Sequence, residues 1–194
     1  KVIQIPNAID ISSLSFDEDR KYEKQIIFAG RLSKEKGIKT LIEICKKLPH
    51  DIHLIIIGDG PEVENIKKLE SSQNNIHYLG SKNHQQTISL IKGSDVLVQP
   101  SFSEGISTTI LESMACKTVI VASNVGGNLE LIQDQESGIL VEPTNPEIFC
   151  EKIIELISDK LLRNKLSTLS YENVKKYDWN IIGKQYLELY NSLL

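Results

Sequence analysis

The sequence predicts an α/β protein built on a single Rossmann-like, doubly wound parallel sheet, with extra helices at its C-terminal end. Short apolar runs alternate with helical patterns over the first 157 residues, and this alternation is typical of a parallel sheet covered by helices. Each strand-plus-helix unit is short, roughly 20 to 27 residues, which favours one continuous sheet over separate domains. After residue 158 no further strand pattern occurs, and the chain becomes helical.

Six apolar runs of strand length predict the sheet. They are Gln25 to Gly30, Ile52 to Gly58, Ile76 to Gly80, Asp95 to Gln99, Thr118 to Ala122 and Gly138 to Val141. Because ligands of open α/β sheets bind at the carboxyl ends of the strands, the residues just after each run are candidates for a functional site.

Helical patterns separate these runs. They span residues 37–48, 61–71, 84–92, 105–116, 127–133 and 146–157, and two further helices are predicted at 159–176 and 179–194. The last helix is amphipathic, with Trp179, Ile182, Tyr186 and Leu189 on one stripe. That stripe either covers this domain or reaches another one.

Composition excludes several classes of function. A length of 194 residues with 40% hydrophobic content is enough for one core without disulfides. The formal charge of −4 argues against nucleic acid as a partner. No apolar run is long enough for a membrane helix and no signal peptide is evident, so a cytoplasmic location is expected. Cys45, Cys116 and Cys150 form no C-x-x-C pair and the four histidines show no metal-ligand spacing, so neither a metal site nor a cofactor is predicted.

The N-terminal residues predict that the chain is part of a longer protein. Lys1 is not an initiator methionine, and residues 2–7 have the pattern of a strand entering a turn with nothing before it. We therefore expect one domain of a two-domain protein, in which the helices at 159–194 either cover this domain or reach the other one.

The segment from Glu104 to Glu112 is the most informative in the chain. It follows the fourth predicted strand, and a helix beginning near Ile106 would direct free N–H groups and a positive dipole end toward an anion. Helical geometry places the two carboxylates about 12 Å apart, a span that suits a sugar nucleotide with hydroxyls at both ends and a diphosphate between. Two alternatives remain open: Glu112 is a solvated residue on the polar face of a helix, or Glu104 is an N-terminal cap.

Two further loops lie on the same edge of the predicted sheet. Arg31 and Lys36 follow the first strand, and a guanidinium and an ammonium in one short loop are suited to holding a diphosphate, although a solvated surface loop explains them equally well. The sequence Gly58-Asp59-Gly60-Pro61 lacks the last glycine of a dinucleotide fingerprint, so it predicts a tight turn near a nucleotide and not an NAD site. Gly126-Gly127 predicts a loop whose backbone could approach a ligand, although a loop that serves only the fold is the alternative.

Together these motifs resemble the C-terminal half of the GT-B glycosyltransferases of family 4. The resemblance rests on Gly30-Arg31-Leu32 with Lys36-Gly37, Ile57-Gly58-Asp59-Gly60-Pro61, the E-x7-E segment, and Gly126-Gly127-Asn128 with Glu130. It extends from Ile5-Pro6-Asn7 to Tyr177-Asp178-Trp179 and covers nearly the whole chain.

The resemblance implies a role for individual residues. Arg31 and Lys36 would hold the donor diphosphate and stabilise it as the leaving group, and Glu112 would bind the ribose. Glu104 would face the donor sugar as a positioning group. The remaining implied contacts are the backbone at Gly30, Gly105, Ile106 and Ser107 near the phosphates, and residues Leu79 to Lys82, including Gly80, beside the base.

The resemblance also implies a reaction. A retaining glycosyltransferase would use a nucleoside-diphosphate sugar without a metal ion, with a UDP-sugar favoured and GDP- or ADP-sugars left open. The acceptor, a glycan, lipid or other molecule, would bind mainly to the missing N-terminal domain, so this domain alone should bind donor and transfer little sugar. Association of the full-length protein with the inner face of the membrane stays open.

Two departures from the family pattern limit what can be transferred. Ala8 replaces the usual glycine after Pro6-Asn7, and Ser107-Thr108-Thr109 lies where the family varies, so donor preference is not assigned. A sugar-nucleotide sensor or accessory subunit without catalytic activity, and a sugar-nucleotide 2-epimerase, remain alternative functions.

Overall fold

The computed structural model describes residues 3–192 and contains a six-stranded, fully parallel sheet. Its strands are β1 (Gln25–Ala29), β2 (His53–Ile57), β3 (Ile76–Tyr78), β4 (Val96–Gln99), β5 (Val119–Ser123) and β6 (Ile139–Val141). They lie in the order β3-β2-β1-β4-β5-β6. The predicted Rossmann-like fold is confirmed, and every predicted strand matches an observed one to within two residues at each end.

Helices cover both faces of the sheet. They are α1 (Ile38–Lys47), α2 (Val63–Ser72), α3 (His84–Lys92), α4 (Thr108–Ala115), α5 (Asn128–Leu131), α6 (Pro146–Ser158), α7 (Lys160–Val174) and α8 (Trp179–Asn191). The largest boundary error concerns α4, which begins at Thr108 and not at residue 105. Among residues 3–192, no helix is both long enough and apolar enough to cross a bilayer.

Alternation of side chains along the buried strands divides the core into two layers. Ile26 and Phe28 of β1 pack on one face of the sheet, and Ile27 and Ala29 pack on the other. Cys45 belongs to the first layer and is 1% exposed, as its place on the apolar stripe of α1 predicts. Both faces of β1 are therefore closed by helices, and only the ends of the strands are open to ligands.

Both ends of the chain differ from the sequence prediction. Residues 3–8 form no strand; instead the backbone of Ile9 bridges to Asp178, just before α8. Of the stripe predicted on α8, Ile182 is buried, whereas Trp179 is 51% exposed and stacks on Tyr186. Within the described residues α8 is anchored mainly through its first turns. The predictions for residues 1–2 and 193–194 lie outside the described range.

A cluster of cations lies at the amino ends of β4 and β5, opposite the edge on which ligands are expected. It surrounds a cavity of about 310 Å³ lined by Arg20, Lys92, Lys117, Lys160 and Arg163 among others. Most of these cations have structural partners. Arg20 and Arg163 pair with Asp95 at 2.7 and 3.4 Å, Lys92 donates to the Phe16 carbonyl, and Lys117 lies over the Tyr171 ring. The cluster therefore ties the ends of helices to the sheet.

Two histidines and a tyrosine stack at the outer strands. The Tyr22 and His53 ring centroids are 3.9 Å apart, and His53 Nδ1 lies 3.0 Å from His77 Nε2. Burial, and next the neighbouring His53, lower the pKa of His77 below its usual value. The folded protein therefore favours neutral His77.

This stack predicts a loss of stability in mild acid. When the pH falls below about 6.5, the unfolded chain binds a proton at His77 that the folded chain resists, so the free energy of unfolding decreases. Above that pH the effect is absent. Urea unfolding between pH 8 and pH 5 should show the decrease, and His77→Gln should make the curve flatter over this window. Equal slopes for both proteins would contradict the prediction.

Candidate functional site

The candidate site lies where the order of the sheet reverses. In the sheet, β1 lies between β2 and β4. The chain continues from β1 to β2 and β3 on one side and then crosses to β4 on the other side, so the loops after β1 and β4 leave a crevice between them. A cleft of about 210 Å³ opens there, lined by Ala29, Gly30, Ile57, Gly58, Ser81, Lys82, Thr87 and Thr109. Gly30 and Lys82, both predicted site residues, belong to this lining.

Lys36 and Glu104 form the main charged contact of the site. Lys36 Nζ lies 2.7 Å from each Glu104 oxygen, and the Glu104 side chain is only 6% exposed. Gln99 Nε2 and Ser101 Oγ also donate to Oε1, at 2.6 and 2.7 Å. Glu104 is thus a recessed carboxylate that holds a cation at the mouth of the site. It is not the N-terminal cap of α4.

Arg31 lies in the same loop but takes no part in this pair. Its side chain is exposed and makes no hydrogen bond within residues 3–192. A hydrogen bond with Ser33 lowers the pKa of Glu35, and the nearby charges of Arg31 and Lys34 lower it further. The structure therefore brings Lys36 to Glu104 and leaves the guanidinium free to meet an anion.

The loop before α4 differs from the sequence prediction. Ser107 is the N-cap of α4, and its Oγ accepts from the Ile110 N–H. The same Oγ also accepts from Gln99 Nε2 at 3.1 Å. Gly105 and Ile106 are therefore not helical, although their N–H groups have no acceptor among the described residues. Asn7 Nδ2 donates to the Ile106 carbonyl at 2.8 Å and fixes the loop from the other side.

The double glycine at 126–127 packs against this loop. The Gly127 N–H donates to the Glu104 carbonyl at 3.0 Å. A Cβ at Gly127 would lie 2.2 Å from the Gly105 carbonyl oxygen, so only glycine allows the two backbones to pack this closely. Gly127 is buried, so the interpretation of this double glycine as a structural loop fits Gly127.

Glu112 is less exposed than its helical position predicts. Its side chain is 16% exposed, and Oε1 lies 2.9 Å from His84 Nε2 at the start of α3. Burial raises the pKa of Glu112, and the hydrogen bond with His84 opposes that rise. Glu112 is therefore not the solvated residue of the alternative interpretation, because α3 packs against α4 and His84 contacts this carboxylate.

The segment after β3 closes the other side of the cleft. The Leu79 N–H donates to the Ile56 carbonyl at 3.0 Å, and the Gly80 carbonyl accepts from the Gly58 N–H at 3.0 Å. These bonds continue the pairing of β2 and β3 for two residues and fix the backbone that leads to Lys82. The Gly58 turn therefore lies beside this segment.

Sequence reasoning missed four polar residues of the site. Gln99, Ser101 and Asn7 hold Glu104 and its loop, and His84 holds Glu112. Gln99 carried a signal, since it is a polar residue at the end of an otherwise apolar buried strand. His84 carried none, because its contact depends on how two helices pack. Within residues 3–192 no group of His, Cys, Asp and Glu side chains is arranged to hold a metal ion.

Several known proteins are similar to this chain in sequence. The family model described as glycosyl transferases group 1 matches residues 11–173. An uncharacterized glycosyltransferase of Methanocaldococcus jannaschii is 30% identical over 93% of this chain and 50% of its own length. A Campylobacter jejuni N,N'-diacetylbacillosaminyl-diphospho-undecaprenol alpha-1,3-N-acetylgalactosaminyltransferase is 29% identical over 87% of this chain and 45% of its own length. The chain spans about half the length of these relatives.

Solved structures share the fold. The C-terminal domain of a group 1 glycosyl transferase family protein from Francisella tularensis is 29% identical and superposes with a TM-score of 0.76 over 88% of this chain and 98% of that one. The Anabaena HepE protein in complex with UDP-glucose is 21% identical, with a TM-score of 0.85 over 97% of this chain and 57% of that one.

Proposed function

This chain belongs to the glycosyl transferases group 1 family, and from that premise we propose that it is the donor-binding domain of a retaining, family 4 transferase that uses a nucleoside-diphosphate sugar. One observation carries the proposal. The Lys36 and Glu104 pair lies beside the free N–H groups of Gly105 and Ile106, at the point where the sheet reverses. A cation and unpaired amides at such an edge suit a diphosphate.

The proposed reaction breaks the bond between the anomeric carbon of the sugar and the diphosphate. Negative charge grows on the leaving diphosphate, and Lys36, Arg31 and the amides before α4 would stabilise it in place of a metal ion. Lys36 has three N–H donors, of which two are directed at Glu104, so one remains for a phosphate oxygen.

Glu104 suits a positioning role better than a nucleophilic one. Its Oε1 already accepts from Lys36, Gln99 and Ser101, whereas Oε2 accepts from Lys36 alone. A carboxylate held by one cation and two neutral donors is a weakened nucleophile, but Oε2 keeps the capacity to accept from a sugar hydroxyl. We therefore assign Glu104 to holding both Lys36 and the donor sugar.

The nucleotide would lie along the 210 Å³ cleft, with its base beside residues 79–82 and its ribose toward Glu112. UDP is the first nucleotide to test, because the Anabaena protein of the same fold is in complex with UDP-glucose. The acceptor, be it a glycan, a lipid or another molecule, would bind mainly to a part of the protein beyond this domain.

Nucleotide binding tests the proposal directly. We expect one of UDP, GDP and ADP to raise the unfolding midpoint of the chain, since a ligand at 100 times its Kd adds about 2.7 kcal/mol of stability. The corresponding nucleoside, which lacks the diphosphate, should give a much smaller shift. If none of the three nucleotides changes the midpoint or gives heat in calorimetry, the proposed function is wrong.

A further inference from the structure

His84 and Glu112 connect the starts of two helices that border the cleft. His84 is the first residue of α3, and Glu112 lies in the second turn of α4. Their 2.9 Å contact joins His84 Nε2 to Glu112 Oε1. Because a carboxylate can only accept, Nε2 is the protonated nitrogen of this contact.

The two oxygens of Glu112 differ in their surroundings. Oε1 is held by His84, whereas no side chain or backbone group among residues 3–192 donates to Oε2. The Glu112 side chain is nevertheless 16% exposed. A carboxylate oxygen with unused lone pairs at a partly open position can accept a hydrogen bond from a ligand hydroxyl.

A second cavity contains this carboxylate and is bordered by the same two helices as the proposed nucleotide cleft. About 240 Å³ in volume, it is lined by Glu112, His84 and Thr108 together with residues of the N-terminal segment 8–14. The 210 Å³ cleft is lined by Thr87, one turn after His84 in α3, and by Thr109, the residue after Thr108 in α4. Residues at the starts of the same two helices therefore line both cavities.

We propose that His84 is a positioning residue for ribose recognition: its Nε2–H fixes the Glu112 carboxylate so that Oε2 accepts from a ribose hydroxyl of the nucleotide. The inference rests on the proposed function, because it needs a nucleotide in the cleft. Burial favours the neutral, protonated form of Glu112, and the His84 donor counteracts this effect, so it also maintains the acceptor that a hydroxyl requires.

A purely structural role would have a different consequence. If the hydrogen bond only ties α3 to α4, removing it weakens the fold and lowers the affinity for every nucleotide alike. A positioning role instead changes the preference for a nucleotide with a 2′-hydroxyl over one without it. The ratio of the Kd of 2′-deoxy-UDP to that of UDP separates the two, and the GDP and ADP pairs serve in the same way.

The experiment measures this ratio by calorimetry for four proteins. The wild type should prefer UDP by about tenfold or more, since a hydrogen bond to a charged group contributes about 1.5–3 kcal/mol. His84→Ala should lower the ratio at least about fivefold, and His84→Gln, whose amide supplies an N–H in place of Nε2, should retain most of it. Gln85→Ala, the exposed neighbour on α3, should leave the ratio unchanged.

A double variant tests whether His84 acts through Glu112. Glu112→Gln should remove the preference by itself, and adding His84→Ala should cause no further loss. The inference is overturned if His84→Ala lowers the unfolding midpoint but keeps the wild-type ratio, or weakens both nucleotides equally. Failure of the wild type to bind UDP, GDP or ADP is a distinct result, which overturns the proposed function and this inference with it.

Discussion

Replacing Arg31 and Lys36 together with alanine is expected to weaken UDP binding by about 10²-fold or more. Each cation would make a charge-assisted hydrogen bond to the diphosphate, and such a bond contributes about 1.5–3 kcal/mol. Titration calorimetry of the variant and the wild type measures the effect. Lys34→Ala, an exposed lysine of the same loop without a hydrogen bond in the described residues, is the matched control and should bind normally. Unchanged affinity in the double variant would contradict the proposed diphosphate site.

A second comparison separates binding from folding at Lys36. Lys36→Ala leaves the Glu104 carboxylate, 6% exposed, without its cation and leaves Oε2 without a donor, and such a buried acceptor without a partner costs about 1–3 kcal/mol or more. Adding Glu104→Gln removes the buried charge, so the double variant Lys36→Ala/Glu104→Gln should regain stability while its affinity for UDP stays low. Recovery of both stability and affinity would show that Lys36 serves only the fold.

Local patterns were sufficient to predict the sheet. The six strands are short, apolar and separated by helical periods, so their existence depends little on distant residues. The start of α4 could not be placed from its own sequence, because residues 105–107 stay outside the helix and Gly105 and Ile106 pack against Gly127. That packing joins segments about 20 residues apart and has no local signature.

Pairing between distant side chains was the other part that the sequence did not reveal. Lys36 and Glu104 were both predicted as site residues, but as separate contacts to the ligand, whereas the fold joins them across 68 positions. His84 pairs with Glu112 across 28 positions for the same reason. Which loops and helices become neighbours is decided by the order of the strands, and that order follows from the packing of the whole core.

Gly37→Ala is expected to destabilise the protein by roughly 3 kcal/mol or more. Gly37 adopts φ 70°, and a Cβ there would lie 1.8 Å from the carbonyl oxygen of Pro100. The left-handed conformation costs about 1–2 kcal/mol for a residue with a side chain, and relieving the clash requires the two backbones to separate. Native domains are stable by only about 5–15 kcal/mol, so the change in urea unfolding should be large.

The same substitution should also weaken UDP binding, because it separates the two loops that form the diphosphate site. Arg31 and Lys36 precede Gly37, and Glu104 and the free amides follow Pro100. Gly183→Ala is the control: Gly183 lies in α8 with no heavy atom within 4 Å of its added Cβ, so alanine should stabilise that helix by about 0.5–1 kcal/mol. If Gly37→Ala unfolds like the wild type but fails to bind UDP, Gly37 contacts the ligand and does not hold the loops together. If it loses stability and affinity together, the donor site depends on the contact between these two backbones.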